Sequence, residues 1–137
     1  MASILFIGPG AIGATLIAWL CQDDRHQVTA AARTPFDSIE TQTPGGLIRA
    51  KPRVITDVRQ APPSDWILVA TKAYDSDAAA RWFAGATHPH TRLAVIQNGV
   101  EHIQRFEQHF PRERIVPVMI DLPAERETPG RTLQRGP

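Results

Sequence analysis

The sequence has little cysteine and no apolar run long enough to cross a membrane. Its 137 residues include one cysteine, Cys21, which cannot form a disulfide within the chain and therefore fits a reducing compartment. The longest apolar stretch, residues 11–21, falls short of the roughly 20 residues that span a bilayer. The N-terminus also lacks a basic leader ahead of a long apolar segment. We therefore expect a cytoplasmic chain with no membrane partner.

An excess of one charge is missing too. Fifteen Lys and Arg residues stand against fourteen Asp and Glu residues, which leaves a formal net charge of +1 with no long run of either sign. Because basic segments interleaved with aromatic residues are also missing, we expect no nucleic-acid partner. The chain has neither the G-x-S-x-G turn of α/β hydrolases nor a Walker glycine loop, which excludes the obvious hydrolase and NTPase classes.

The histidines follow no metal-binding spacing. Four of them lie in the second half of the chain, two of them near glutamates: His88, His90, His102 and His109, with Glu101 and Glu107. Their spacing matches neither the His-Glu-x-x-His motif nor a paired-cysteine site. We therefore predict no metal site.

What the sequence does contain is a glycine-rich turn near its start. The turn reads Gly8-Pro9-Gly10-Ala11-Ile12-Gly13; it follows the apolar residues 4–7 and precedes apolar residues at helical spacing. This order predicts a strand, a turn and a helix that bind a dinucleotide, the alternative being the same elements without a ligand. We expect Gly8 to form the tight turn, Gly10 to let the backbone approach a pyrophosphate, and Gly13 to let helix and strand pack closely. The helix N-terminus would offer unpaired N–H groups and its positive dipole end to the phosphates.

Strands alternate with helical segments along most of the chain. We predict strands over residues 27–32, 66–70, 93–96 and 115–122, and helices after the glycine turn, over residues 75–83 with Asp75 or Ser76 as cap, and over residues 100–110. The second and third of these strands are apolar throughout, which is typical of burial on both faces. We therefore predict an α/β fold, a doubly wound and mostly parallel sheet, in a single Rossmann-type dinucleotide-binding domain over residues 1–137.

Two stretches are harder to assign. Residues 41–46 are rich in turn formers, and the apolar pairs 47–48 and 54–55 predict either a short strand pair or an irregular third strand. Residues 123–137 are polar and contain proline, and we expect one more extended segment there.

Arg33 stands at the end of the second predicted strand, about twenty residues past the glycines. Sites that prefer NAD carry Asp or Glu here, which binds the ribose 2′-hydroxyl. A guanidinium pairs instead with a phosphate, so Arg33, with Thr34 beside it, predicts NADP(H) as the cofactor. The alternative is an arginine exposed on a loop.

Polar side chains also follow the two apolar strands. Thr71-Lys72-Ala73 comes directly after the first of them, and Gln97-Asn98-Gly99 after the second. Ligands of open α/β sheets bind outside the carboxyl ends of the strands. Lys72 would there meet a ribose hydroxyl or a substrate carboxylate, and Asn98 a carboxamide or a substrate oxygen. A surface lysine and an Asn-Gly turn are the alternatives.

With these motifs in this order, the chain resembles the N-terminal cofactor domain of the ketopantoate reductases (2-dehydropantoate 2-reductases). The resemblance covers nearly the whole chain and rests on residues 8–13, Arg33, Thr71 to Tyr74 with Asp77 and Ala78, Gln97 to Val100, and Pro129-Gly130-Arg131. It implies that residues 8–13 hold the pyrophosphate and Arg33 the 2′-phosphate of NADP(H), while Lys72 and Asn98 line the nicotinamide end and the substrate. The implied reaction is hydride transfer from NADPH to the ketone of 2-dehydropantoate, giving pantoate for pantothenate and coenzyme A synthesis.

The chain also departs from that family. Its members continue into a helical second domain, which carries the lysine that acts as general acid and the groups that bind substrate, whereas this chain ends at Pro137. Hydride addition to a ketone develops an alkoxide, which needs a positioned donor. We therefore expect a truncated oxidoreductase that binds NADPH, has no catalytic residue of its own and reduces a 2-oxo acid poorly or not at all. Because a domain cut at an interface exposes apolar surface, we also predict either a homodimer or poor solubility through residues 119–122.

Two other functions stay open. A non-catalytic NADP(H)-binding module that regulates a partner would explain the missing general acid without truncation. The cofactor domain of another hydroxyacid dehydrogenase would share the same N-terminal design.

Overall fold

Six parallel strands form the larger of two sheets in the computed structural model, which describes residues 2–8, 10–71, 76–96, 102–119, 124–128 and 130–135. Numbered in chain order, these strands are β1 (Ala2–Ile7), β2 (His26–Ala31), β5 (Arg53–Ile55), β6 (Trp66–Val69), β7 (Arg92–Ile96) and β8 (Ile115–Val118). They lie in the order β5-β2-β1-β6-β7-β8, and every neighbouring pair is parallel. The chain builds outward from β1 on one side and then crosses to β6 on the other, which confirms the predicted doubly wound sheet.

Helices cover both faces of this sheet. α1 (Ala11–Leu20) packs on one face, and α2 (Ser76–Ala80), α3 (Phe83–Ala86) and α4 (His102–Phe106) pack on the other. At 10 residues α1 is the longest helix in the described part of the chain, where no helix has the length and apolar character to cross a bilayer.

The core alternates between these two faces along each strand. In β1, Leu5 and Ile7 join the apolar cluster beneath α2 to α4, whereas Phe6 packs with Ile17 and Ala18 of α1. None of the five side chains is more than 3% exposed. Burial of a large apolar side chain stabilises the fold by about 1.5–3 kcal/mol, so both helical layers are held on the sheet mainly by these contacts.

The predicted helices after α1 are shorter than expected. In place of one helix over residues 75–83 there are α2 and α3, separated by a turn in which the N–H groups of Arg81 and Trp82 bond to carbonyls three residues back. The helix expected over residues 100–110 is regular only in α4 and continues as turns, with the Phe110 N–H bonded to the Phe106 carbonyl over 3.0 Å. Asp75, one of the two predicted caps of the helix over residues 75–83, lies outside the described residues. So do residues 100–101, the predicted start of the next helix.

The predicted strands of the larger sheet agree with the structure to within a residue or two, except at the last one. β8 ends at Val118, and residues 120–122 lie outside the described residues. Pro117 is tolerated in β8 because this strand is at the edge of the sheet.

A second sheet of four strands covers the outer side of α1. It contains β3 (Ile39–Thr43), β4 (Gly46–Ala50), β9 (Ala124–Thr128) and β10 (Arg131–Gln134), in the order β4-β3-β10-β9. β3 and β4 form an antiparallel pair, as do β9 and β10, and β10 runs parallel to β3. All four strands contact α1, so this helix lies between two sheets.

The second sheet differs from the predicted fold. Residues 41–46, expected as a turn-rich segment, contain the end of β3, a turn at residues 44–45 and the start of β4. The apolar pairs 47–48 and 54–55 are divided between the two sheets, in β4 and β5. Residues 123–137, expected as a single extended segment, contain both β9 and β10.

Polar side chains on the inner face explain why this sheet is hidden in the sequence. β3 buries Ile39, Thr41 and Thr43, and β10 buries Thr132 and Gln134. Four of these five inward side chains are polar, so the alternation of apolar and polar residues that signals a strand is missing.

Hydroxyl groups hold this inner face against α1. The Thr15 hydroxyl donates to the Ala11 carbonyl over 2.8 Å and lies 3.2 Å from Thr132 Oγ1, which in turn lies 2.7 Å from Thr41 Oγ1. The three threonines are at most 3% exposed. Since buried polar groups need hydrogen-bond partners, these contacts fix β3 and β10 relative to the helix.

Candidate cofactor-binding site

The carboxyl ends of β1, β2 and β6 meet at one edge of the larger sheet. Ile7, the last residue of β1, is level with Ala31 of β2 and Val69 of β6. Just beyond, the Gly8 N–H donates to the Ala31 carbonyl over 3.4 Å, and the Ala70 N–H donates to the Ile7 carbonyl over 2.9 Å. The strand order reverses between β1 and β6, which makes the gap between them the topological switch point of the sheet. Open α/β sheets bind their ligands in the crevice at such a point.

Gly8 turns the chain from β1 into this crevice. Its φ of +92° lies in the left-handed region that favours glycine. A Cβ added to Gly8 would stand 2.8 Å from Thr71 Cγ2 and 2.9 Å from the Thr71 backbone nitrogen. The structure therefore confirms the tight turn predicted for Gly8 and places Thr71, a predicted site residue, directly beside it.

Gly10 is the N-cap of α1 and faces open space. Its φ of −79° suits any residue, and an added Cβ would meet no heavy atom of the described residues within 4 Å. The first bond of the helical ladder joins the Ala14 N–H to the Gly10 carbonyl over 2.9 Å, so the N–H groups of Ala11, Ile12 and Gly13 precede that ladder. The first turn carries no acidic residue. This end of α1 therefore combines N–H donors, the positive end of the helix dipole and room for an anion.

Gly13 lies where α1 touches the turn. A Cβ added to Gly13 would overlap the Gly8 carbonyl oxygen and would stand 3.2 Å from Phe6 Cε1. The close packing of helix and strand predicted for Gly13 is therefore confirmed. Ala11 and Ile12, from the same predicted segment, are half-buried in the first turn of α1, and Pro9 lies outside the described residues.

Two other predicted site residues, Lys72 and Asn98, lie outside the described residues. The structure does place the chain that leads to them. Thr71 borders Gly8, and Ile96 ends β7, the strand that neighbours β6. Both segments therefore leave the sheet at the edge where the crevice opens, and the roles of the two residues stay predictions.

Arg33 lies at the same edge, two residues past the end of β2, and is exposed. Between β2 and Arg33, the Ala32 N–H donates to the Ile55 carbonyl over 3.0 Å, which holds this part of the chain against β5. A cavity of about 650 Å³ begins at the next residue. It is lined by the segment after Arg33 and by the second sheet: Thr34, Pro35, Phe36, Asp37, Ser38, Glu40, Gly130 and Arg131.

The last two of these residues, Gly130 and Arg131, form a corner of the cavity for which no role was predicted. Gly130 is buried with a φ of +83°, and its carbonyl accepts the Glu40 N–H over 2.7 Å. A Cβ added to Gly130 would overlap the Ser38 carbonyl oxygen. These contacts fix Arg131 beside the loop that follows β2. The sequence signal was Pro129-Gly130-Arg131 (Pro129 itself lies outside the described residues), which could not be placed near Arg33 without the second sheet.

Glu40 lies between two arginines on the outer face of the second sheet. Its Oε1 is 3.5 Å from Arg49 Nε, and its Oε2 is 3.6 Å from Arg131 Nη2. The three residues are neighbours in register on β4, β3 and β10. Together with Arg33 they give this region three arginines against the carboxylates of Glu40 and Asp37, a balance that favours an anionic ligand.

The histidines considered as metal ligands lie elsewhere. His88 accepts the His90 backbone N–H at Nδ1 over 3.0 Å, and its Nε2–H donates to Asp65 Oδ1 over 3.0 Å at the amino-terminal edge of the sheet. His109 Nε2 lies 3.4 Å from Asp77 Oδ1. Over the part of the chain that the structure describes, no group of three or more His, Cys, Asp or Glu side chains is placed to hold a metal ion.

Comparison with known proteins gives one family. The family described as Ketopantoate reductase PanE/ApbA matches residues 4–137. The chain is 50% identical over 135 residues to the 2-dehydropantoate 2-reductase of Caulobacter vibrioides, which covers 98% of this chain and 47% of that protein. It is 31% identical over 140 residues to the enzyme of the same name from Mycobacterium tuberculosis, covering 97% and 45%. The chain therefore spans about half the length of the curated relatives it matches.

Solved structures share the fold. A 2-dehydropantoate 2-reductase from Geobacter metallireducens gives a TM-score of 0.85 at 20% identity over 96% of this chain and 46% of that one. D-mandelate dehydrogenase, in a ternary structure with NADH and anilino(oxo)acetate, gives 0.82 at 19% identity over 98% and 46%. A dimeric ketopantoate reductase from Staphylococcus aureus gives 0.70 at 20% identity over 96% and 43%.

Proposed function

The chain belongs to the ketopantoate reductase family, and we propose that it is the NADPH-binding part of a 2-dehydropantoate 2-reductase. In this reaction NADPH supplies a hydride to the ketone carbon of 2-dehydropantoate, and a proton completes the hydroxyl group of pantoate. The names of the matching relatives support the activity. The observation that carries the proposal is the open space at Gly10, where the N-terminus of α1 meets the crevice between β1 and β6.

We assign the pyrophosphate of NADPH to residues 8–13. The turn at Gly8 brings the chain past the end of β1, and the close contact at Gly13 holds the start of α1 against it. The backbone N–H groups of Ala11, Ile12 and Gly13 would then donate to the phosphate oxygens, for which the missing side chain of Gly10 leaves room. Pro9 belongs to the same assigned segment. The residues present therefore fit the group.

We assign the 2′-phosphate to Arg33, with Thr34 beside it. Arg33 follows the end of β2, where a ligand bound at residues 8–13 of this fold extends its adenosine ribose. A guanidinium offers paired N–H donors that match phosphate oxygens, whereas the ribose hydroxyl of NADH gives it no charge to bind. The site therefore selects NADPH over NADH.

The nicotinamide end and the substrate belong, in this proposal, to the segments that follow β6 and β7. Thr71 lies against Gly8, so a dinucleotide that follows the crevice passes Thr71. We assign Lys72, the next residue in the sequence, to the same end of the cofactor. Asn98 would contact the carboxamide or the substrate 2-oxo acid from the neighbouring strand end. In the resembling family, the general acid comes from a second domain.

We therefore propose that residues 1–137 by themselves bind NADPH but reduce 2-dehydropantoate poorly. Without a positioned donor, the alkoxide that develops on hydride addition loses much of its stabilisation. Turnover of the purified chain at about 1 per second or faster, typical of ordinary enzymes, would contradict this. Addition of the second half of a relative in trans should raise the rate.

We further propose a homodimer through residues 119–122, which follow β8. Met119, the residue directly after this edge strand, is 77% exposed, and the S. aureus ketopantoate reductase of the same fold is dimeric. Light scattering should then show a dimer, and a monomer at high concentration would overturn this part of the proposal. A cytoplasmic location is supported by Cys21, a free thiol.

Gly10→Ala tests the proposed binding site. The variant should keep the fold, since the added methyl group meets open space, but the methyl group would stand between the backbone and the pyrophosphate. We expect its affinity for NADPH, measured by nicotinamide fluorescence, to fall about tenfold or more, as expected when hydrogen bonds to a charged group are lost. Unchanged affinity in the folded variant would refute the assignment of residues 8–13.

A further inference from the structure

We propose that Arg131 is a second arginine for the 2′-phosphate of NADP(H), supplied by the second sheet from across the cavity that begins at Thr34. The inference rests on the proposed function and adds a specificity-determining residue to it. It means that selection of NADPH depends on two elements far apart in sequence, the loop after β2 and the start of β10.

The backbone around Arg131 is fixed at the cavity wall. Gly130, the residue before it, contacts the Ser38 carbonyl so closely that no side chain fits, and its own carbonyl accepts the Glu40 N–H. Arg131 then pairs in register with Glu40 on β3. These contacts hold the backbone of Arg131 beside residues 34–38, the loop that directly follows Arg33.

The side chain of Arg131 is available for a new partner. The side chain is 62% exposed, and its Nη2 lies 3.6 Å from Glu40 Oε2, beyond the usual hydrogen-bond distance. Glu40 also lies 3.5 Å from Arg49, so its carboxylate keeps an arginine beside it when Arg131 turns toward a ligand. Breaking such an exposed, loose ion pair costs little.

Charge is the reason that one arginine does not suffice. The cavity wall carries the carboxylates of Asp37 and Glu40, which repel a phosphate. Arg49 offsets Glu40, and Arg33 alone would then face both the phosphate and Asp37. A second guanidinium from Arg131 gives the excess of positive charge that a doubly charged phosphate requires.

The test compares Arg131→Ala with Arg135→Ala. Arg135 is similarly exposed, pairs with Glu125 over 2.9 Å beside the same sheet, and does not line the cavity. Both variants lose one positive charge, so a difference between them reports position rather than net charge. Affinities for NADPH, NADH and 2′-AMP are measured by titration of the purified chain and both variants.

We expect Arg131→Ala to lower the affinity for NADPH and for 2′-AMP by about threefold to tenfold, the range for a partly exposed charged contact. The affinity for NADH should stay unchanged. Arg135→Ala should stay within about twofold for all three ligands, and Arg131→Lys, which keeps the charge, should recover part of the loss. Equal effects of Arg131→Ala and Arg135→Ala, or an equal loss for NADPH and NADH, would overturn the inference. If Arg33→Ala weakens binding of NADPH but Arg131→Ala leaves it unchanged, the proposed function stands and the role of Arg131 fails. If the unmodified chain binds no dinucleotide, both fail.

Discussion

The contact between α1 and the glycine turn leads to a sharp prediction about stability. A methyl group added at Gly13 would overlap the Gly8 carbonyl oxygen and stand 3.2 Å from Phe6, which is fully buried. Gly8 cannot give way easily, because its φ of +92° and its contact with Thr71 fix the turn. α1 would therefore have to move outward, against the second sheet that covers it.

Two effects of Gly13→Ala oppose each other. Overpacking in a well-packed core costs about 1–3 kcal/mol. Alanine has a higher helix propensity than glycine by up to about 1 kcal/mol, and less in the first turn, where Gly13 lies. Because the cost of overpacking exceeds the gain in helix propensity, we expect the free energy of unfolding to fall by about 1–2 kcal/mol. For a chain of this length that corresponds to a Tm lower by roughly 3–10 °C.

Urea and thermal unfolding of Gly13→Ala, followed by far-UV circular dichroism, measure this loss. Gly10→Ala is the matched control, because its methyl group meets open space at a φ of −79°. That variant should lose less, about 0.5–1 kcal/mol, which is the preference of an N-cap for glycine over alanine. Equal midpoints for Gly13→Ala and the unmodified chain, or equal losses for the two variants, would refute the described packing of α1.

Two further predictions concern other parts of the fold. Thr132→Val removes the hydroxyl that lies 2.7 Å from Thr41 Oγ1 and should lower the free energy of unfolding, measured by urea unfolding, by about 1–3 kcal/mol. Thr132→Ser keeps the hydroxyl and should lose much less stability. The Ser3 backbone N–H, and then the His88 ring, hold the pKa of Asp65 below its ordinary value. Its carboxylate therefore contributes stability that is present above the unfolded pKa, about 3.9, and lost as the pH falls through the lower folded pKa. Asp65→Asn should be less stable at pH 7 and lose less stability between pH 4 and pH 2; parallel pH profiles of the two proteins would contradict this.

The sequence predicted those parts of the fold whose signals are local. The strands β6 and β7 are buried on both faces and read as continuous apolar runs. The glycine turn carries its geometry in three residues, and the predicted turn at Gly8 and close packing at Gly13 are both confirmed.

Long-range contacts explain what the sequence could not show. Thr41 and Thr132 are 91 positions apart, and only their contact makes two polar strands into the buried face of a sheet. The break between α2 and α3 likewise places Phe83 against Phe106 and Phe110, with ring centroids 5.8 Å away in both cases. Helix propensity in residues 76–80 gives no indication of that packing.

The candidate site follows the same division. Arg33 and the residues 8–13 belong to one motif and were predicted together. The cavity beside Arg33 also needs Gly130 and Arg131, which reach it only because β10 pairs with β3. The sequence motif therefore indicates only the side of this cavity formed by the loop after Arg33, and not the side formed by the second sheet.

Titration with NADPH and NADH, for the unmodified chain and for Arg33→Ala, tests the central claim most directly. We predict that the unmodified chain binds NADPH more tightly than NADH. Arg33→Ala should lower the affinity for NADPH by about tenfold to a hundredfold and leave the affinity for NADH unchanged, because only NADPH loses a charged contact. Binding of neither dinucleotide by the unmodified chain, or an equal loss of both in Arg33→Ala, would contradict this claim.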